Sequence, residues 1–167
     1  APELTPVLVT DEQSAGFLAD GIARSGGGLA AISVVPGAGL THAMSGISEA
    51  YLDQVPLLVI ACGIRKDTGT SFQLHDVDQV AIVRPVSKAV FIPATHQDLY
   101  VAIRKACQLA RTPPYGPAVV EVPANLYFVP GEAELEMAAL KFEEEARQET
   151  KNAFDITAAA DLLISSK

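Results

Sequence analysis

The sequence predicts an α/β fold, a three-layer α/β/α arrangement around a mostly parallel sheet, and three observations carry that expectation. Short β-branched apolar runs alternate with segments of helical period through about the first 125 residues, the pattern of a sheet covered by helices. The runs are continuous rather than alternating, as strands are when both of their faces are buried. Helix-start signals stand where the runs end, at the strand-to-helix junctions of such a sheet.

Taken in order, Pro6 to Thr10 is the first candidate strand, and Ala15, Leu18, Ala19 and Ile22 form the stripe of the helix after it. Thr10 with Gln13 three residues on reads as that helix's capping box. Gly26 to Gly28 supply the turn that ends it. Leu29 to Val35 is the next strand, followed by a helix on Leu40, Ala43, Met44, Ile47 and Tyr51. Pro56 to Gly63, Ser87 to Ile92 and Pro117 to Val122 are the remaining strands. Between the last two lies the clearest helix, with Leu99, Ala102, Ile103, Ala106, Leu109 and Ala110 on one face and Thr95 and Asp98 as its capping box.

Past Pro123 the character changes. Pro130-Gly131 breaks the chain, and Glu132 to Lys151 is strongly charged, including Glu143-Glu144-Glu145, as in a solvated helix or linker. Ile156, Ala159, Ala160 and Leu163 restart a helical stripe too short to own a core. The expected organisation is an α/β domain over residues 1–130, a charged linker over 131–153 and the opening of a further domain over 154–167. The chain reads as a piece of something larger.

Composition narrows the function. The 167 residues carry 12 Lys+Arg against 20 Asp+Glu, a net charge of −8, so a basic surface that tracks nucleic acid is not expected. No apolar run approaches the roughly 18 to 20 residues that span a bilayer. Cys62 and Cys107 sit in apolar surroundings with no CxxC or Cys/His cluster, which predicts small core residues in a reducing, cytoplasmic compartment and no metal site.

Ligands of open parallel sheets bind at the carboxyl ends of the strands. Three segments fall there: Thr10 to Gln13, Pro36 to Gly39, and the long polar stretch Ile64 to Gln79. The Pro36-Gly37-Ala38-Gly39 turn has neither a GxGxxG nor a GxxxxGK[ST] pattern, which weighs against a flavodoxin-like nucleotide site. Glu12, in the first turn of its helix, is either an acid that stabilises the helix through its dipole or a general acid/base facing a ring nitrogen. Phe72 and Gln73 either line a pocket or pack their own loop. His42 and His75 have no spaced partner, and His42 reads as a helix-surface residue.

The string DEQSAGFLADGIARSGGGLAAISVVPGAGLTHAMSGISEAYLDQVPLLVIACG, then TGTSFQLHDVDQVAIVRPVSKAVF and RTPPYGPAVVEVPANL, closely resembles the N-terminal pyrimidine-binding domain of thiamine diphosphate enzymes, most of all the acetolactate synthase-like branch. The resemblance covers about residues 5 to 128. It implies a flavodoxin-like thiamine diphosphate-binding fold that lacks its first strand and helix here. It also implies a carboligase or decarboxylase of 2-keto acids in which Glu12 activates the cofactor's aminopyrimidine and Gln73 is catalytic. Pro36, Gly37 and Phe72 would contact the cofactor. Magnesium and the diphosphate would be held by a separate C-terminal domain, from a homo-oligomer partner or a complementary chain, so the chain alone would be inert. A non-catalytic assembly module of the same fold is the alternative.

Overall fold

In the computed structural model, which describes residues 4–67, 69, 75–133, 161 and 164–165, the apolar runs form one parallel sheet. Its strands are β1 (Ala30–Val34), β2 (Leu57–Cys62), β3 (Ala89–Phe91) and β4 (Pro117–Val122), in the order β1-β2-β4-β3. Leu57 lies opposite both Ala30 and Pro117, and Ala61 lies opposite Glu121, so the register aligns the carboxyl ends of β1, β2 and β4. All six residues of β4 are buried, whereas β1 alternates buried and exposed positions along an open edge.

The continuous runs conceal a period of two. Leu57, Val59, Ala61 and Val119 enter one core, and Leu58, Ala118, Val120 and Val122 enter the other. The first core is closed by α1 (Glu12–Ile22), α2 (Ala38–Leu52) and α3 (Gln79–Val83), through Ala19, Leu40, Ala43, Ile47 and Val83. The second is closed by α4 (His96–Ala110), through Ala102, Ala106 and Ala110, with Leu126 of the short α5 (Asn125–Phe128) beside it. Helices on both faces make the expected three layers.

The predicted boundaries of β1 to β4 hold to within two residues, but Pro6 to Thr10 is not a strand. Residues 4–9 are irregular, and Leu8 is 98% exposed. Apolar side chains alone do not make a strand; a neighbouring edge has to accept its hydrogen bonds, and no strand of the described sheet pairs with this segment. Residues from Thr5 to Asp11 instead line one side of an open cavity of about 600 Å³ whose other walls are α1 and β1.

Two further expectations change. The α1 cap is Asp11 rather than Thr10: its carboxylate accepts from the Ser14 amide at 2.7 Å and from the Ser14 hydroxyl at 2.8 Å. Gly46 of α2 meets Gly16 of α1 so closely that a Cβ on Gly46 would lie 2.6 Å from the Gly16 carbonyl carbon. Cys62 and Cys107 are half-buried rather than core residues. The Cys62 thiol donates to the Tyr127 hydroxyl at 3.4 Å, and burial pushes the Cys107 thiol up.

The α4 capping box is present as expected, with Thr95 accepting from the Asp98 amide and Asp98 accepting from the Thr95 amide, both at 3.1 Å. At the other end of α4 the Lys88 ammonium donates to the carbonyls of Leu109 and Thr112. The chain divides into two units, Ala1–Glu134 and Leu135–Lys167. Asp161, Ile164 and Ser165 in the second are helical, and the expected charged linker lies almost wholly outside the described residues.

Candidate functional site

The start of α1 brings a carboxylate to the carboxyl edge of the sheet. Asp11 is extended, at φ −150° and ψ 153°, and its cap turns the chain so that Glu12 is the first residue of the helix. The Glu12 side chain is 31% exposed, open enough to meet a ligand. Its Oε2 lies 3.0 Å from Nδ1 of His42, one turn into α2. That hydrogen bond is the main reason the Glu12 carboxyl sits below its ordinary value. Asp11 is lowered as well, chiefly by the Ser14 amide.

Pro36 and Gly37 form the turn from β1 into α2. Gly37 is at φ +61°, and a Cβ there would lie 2.8 Å from the His75 carbonyl oxygen, so the turn admits glycine on both counts. The Gly37 amide donates to Oε1 of Gln79 at 2.9 Å, and Nε2 of Gln79 donates to the Cys62 carbonyl, also at 2.9 Å. Gln79 is 5% exposed and ties the turn to the end of β2. Gly39 completes the cradle: a Cβ on it would stand 3.1 Å from Oε1 of Glu12 and 2.6 Å from Cγ2 of Val35. The carboxylate and the glycine turn are thus fitted to each other.

The structure therefore brings together Glu12, Pro36 and Gly37 at one edge. Phe72 and Gln73 lie outside the described residues. Among the described residues, no group of three or more His, Cys, Asp or Glu is placed to hold a metal ion, and no helix is long and apolar enough to cross a membrane.

Sequence reasoning missed three residues. His42 has its partner 30 positions away in Glu12, and Gln79 has one 42 positions away in Gly37. The third, Glu121, is 6% exposed within β4 and takes the Lys66 ammonium at 3.2 Å. A lone acid inside the run Pro117 to Val122 was a usable signal, because a buried charge requires a partner.

The family described as thiamine pyrophosphate enzyme, N-terminal TPP binding domain, matches residues 1–82. The chain is 38% identical over 119 residues to the acetolactate synthase large subunit of Haemophilus influenzae, covering 71% of this chain and 21% of that protein. It is 36% identical over 120 residues to the acetolactate synthase isozyme 3 large subunit of Escherichia coli, covering 72% and 21% respectively. The fold is similar to that of the thiamine diphosphate-dependent 4-hydroxybenzoylformate decarboxylase of Rhodococcus jostii, with a TM-score of 0.71 and 27% identity, over 80% of this chain and 25% of that one. The chain spans about a fifth of the length of the curated relatives it matches.

Proposed function

Because the chain belongs to the family of N-terminal thiamine pyrophosphate-binding domains, we propose that it supplies the cofactor-activating half of an active site acting on 2-keto acids, in an acetolactate synthase-like carboligase or decarboxylase. The observation that carries this reading is the single carboxylate, Glu12, set against a glycine-lined turn at the carboxyl edge of a parallel sheet. Gly37 and Gly39 let the turn pack against the His75 backbone, Val35 and Glu12, and the partly exposed Glu12 carboxylate at that edge suits the ring nitrogen of a heteroaromatic ligand.

Thiamine diphosphate, when bound, supplies an aminopyrimidine base and a thiazolium carbon that attacks a keto carbonyl. The role of Glu12 is to exchange a proton with a pyrimidine ring nitrogen, and Pro36 and Gly37 let the ring lie close to the main chain. By the family resemblance, Phe72 is proposed as a cofactor-binding residue and Gln73 as a catalytic one, at the position that faces the reacting carbon in this family. The diphosphate and its magnesium are assigned to a second domain, which in the family this chain resembles carries a Gly-Asp-Gly motif that the 167 residues do not contain. That domain belongs to another segment or subunit, in a homo-oligomer or with a complementary chain, and the chain alone is expected to be inactive. Residues 1–130 form the pyrimidine domain in this reading, 131–153 its connector and 154–167 the opening of a central domain. Two unpaired cysteines suit the cytoplasm.

The test is Glu12→Gln in the enzyme assembled around this chain. Thiamine diphosphate-dependent turnover of pyruvate is expected to fall by about 10²- to 10⁴-fold, the range for losing a positioned acid/base, with thermal unfolding unchanged. Undiminished turnover would sink the catalytic reading and leave a binding module.

A further inference from the structure

Resting on that reading of Glu12, we propose that His42 is a positioning residue for the carboxylate, holding Oε2 and setting Oε1 toward Gly39, where it would meet an aminopyrimidine. The geometry is local to two helix starts. His42 stands three residues after Gly39 in α2, hence on the same face. Its Nδ1 meets Oε2 at 3.0 Å, while Oε1 of the same carboxylate lies where a Gly39 Cβ would approach to 3.1 Å. Among the described residues, the charged or titratable groups that act on Glu12 are Asp11 from its own helix start and His42 from α2. The Asp11 carboxylate is occupied by Ser14, so it is His42 that orients Glu12.

Helix packing does not need this pair. Gly16 and Gly46 already hold α1 and α2 at backbone contact, and Arg24 ties the far ends together by reaching Asp20 and Asp53, each at 2.7 Å. The pair acts on chemistry instead. It favours the ionised carboxylate. With Oε2 held by His42, Oε1 on the Gly39 side is the oxygen that would meet a ring nitrogen.

Two measurements test this. The first is cofactor-free: in a carbon-13 titration of the side-chain carboxyls of this chain, Glu12 is expected to move up in His42→Ala. An unmoved Glu12 would mean that the pair does not form in solution, and the proposal would fall. The second is calorimetric binding of thiamine diphosphate by the assembled enzyme at one pH. We expect about tenfold weakening in His42→Ala, the worth of one hydrogen bond, and less than about twofold in His42→Asn, which keeps a donor. Unweakened binding in His42→Ala, or equal weakening in both variants, overturns the role of His42 while leaving Glu12 in place. Undiminished turnover in Glu12→Gln overturns the functional reading itself, and this proposal with it.

Discussion

On one face of the sheet α4 lays Ala102, Ala106 and Ala110 against Ala118, Val120 and Val122; on the other, α1 and α2 meet through Gly16 and Gly46 and present Glu12 and His42 at the carboxyl edge. Both faces use small residues to bring backbones close. They differ in where their polar groups find partners. The start of α4 is capped within three residues by Thr95 and Asp98. At the other junction partners come from far along the chain, Glu12 with His42 and Gly37 with Gln79. A cap satisfied within one turn makes that helix start self-contained. Distant satisfaction yields a surface where a carboxylate, a left-handed glycine and an open sheet edge converge.

The contrast can be broken or sharpened by substitution. The largest stability effect is expected from Gly46→Ala, which drives a Cβ to 2.6 Å from the Gly16 backbone; rigid backbone on both sides puts the loss at about 3 kcal/mol by denaturant unfolding. A loss below about 1 kcal/mol would show that the junction yields as easily as an ordinary helix contact. Next is Gln79→Leu, which leaves the Gly37 amide and Cys62 carbonyl without their partner and is expected to cost about 2 kcal/mol. Amide exchange at Gly37 should accelerate in step, and an unchanged rate would deny Gln79 its hold on the turn. On the α4 side, Thr95→Ala removes one half of a local cap, with an expected loss of about 1 kcal/mol and no effect on the Glu12 titration.

The smallest effect is on pH dependence. Asp11 and Glu12 both titrate below their ordinary values of 3.8 and 4.5 when folded. Their contribution is therefore complete above the unfolded values and is lost as pH falls through the folded ones. Acid unfolding followed from pH 5 downward should be shallower in Asp11→Ala, and an unaltered slope would assign acid sensitivity to other carboxylates.

Much of the scaffold is legible in the chain's own pattern of residues. The run Pro117 to Val122 predicts β4 to the residue, because a strand buried on both faces is apolar nearly throughout, Glu121 being the exception. The α4 cap is legible because its two members lie within one helical turn. Pro6 to Thr10 misleads for the complementary reason: its side chains suit a strand, but pairing depends on an edge that the segment does not reach. At the site, Glu12, Pro36 and Gly37 are legible from their positions at strand ends, while His42 reads as a plain surface residue.

By itself the sequence determined the alternation of strand and helix, the two buried faces and the helix-start position of Glu12, since each depends on periodicity or on neighbours within a few residues. Only the tertiary structure decided that α1 and α2 close on Gly16 and Gly46, that Gln79 fastens the Gly37 turn, and that Glu12 faces His42. Those contacts join residues 30 to 42 positions apart, and their geometry exists only once the sheet has set its strand order.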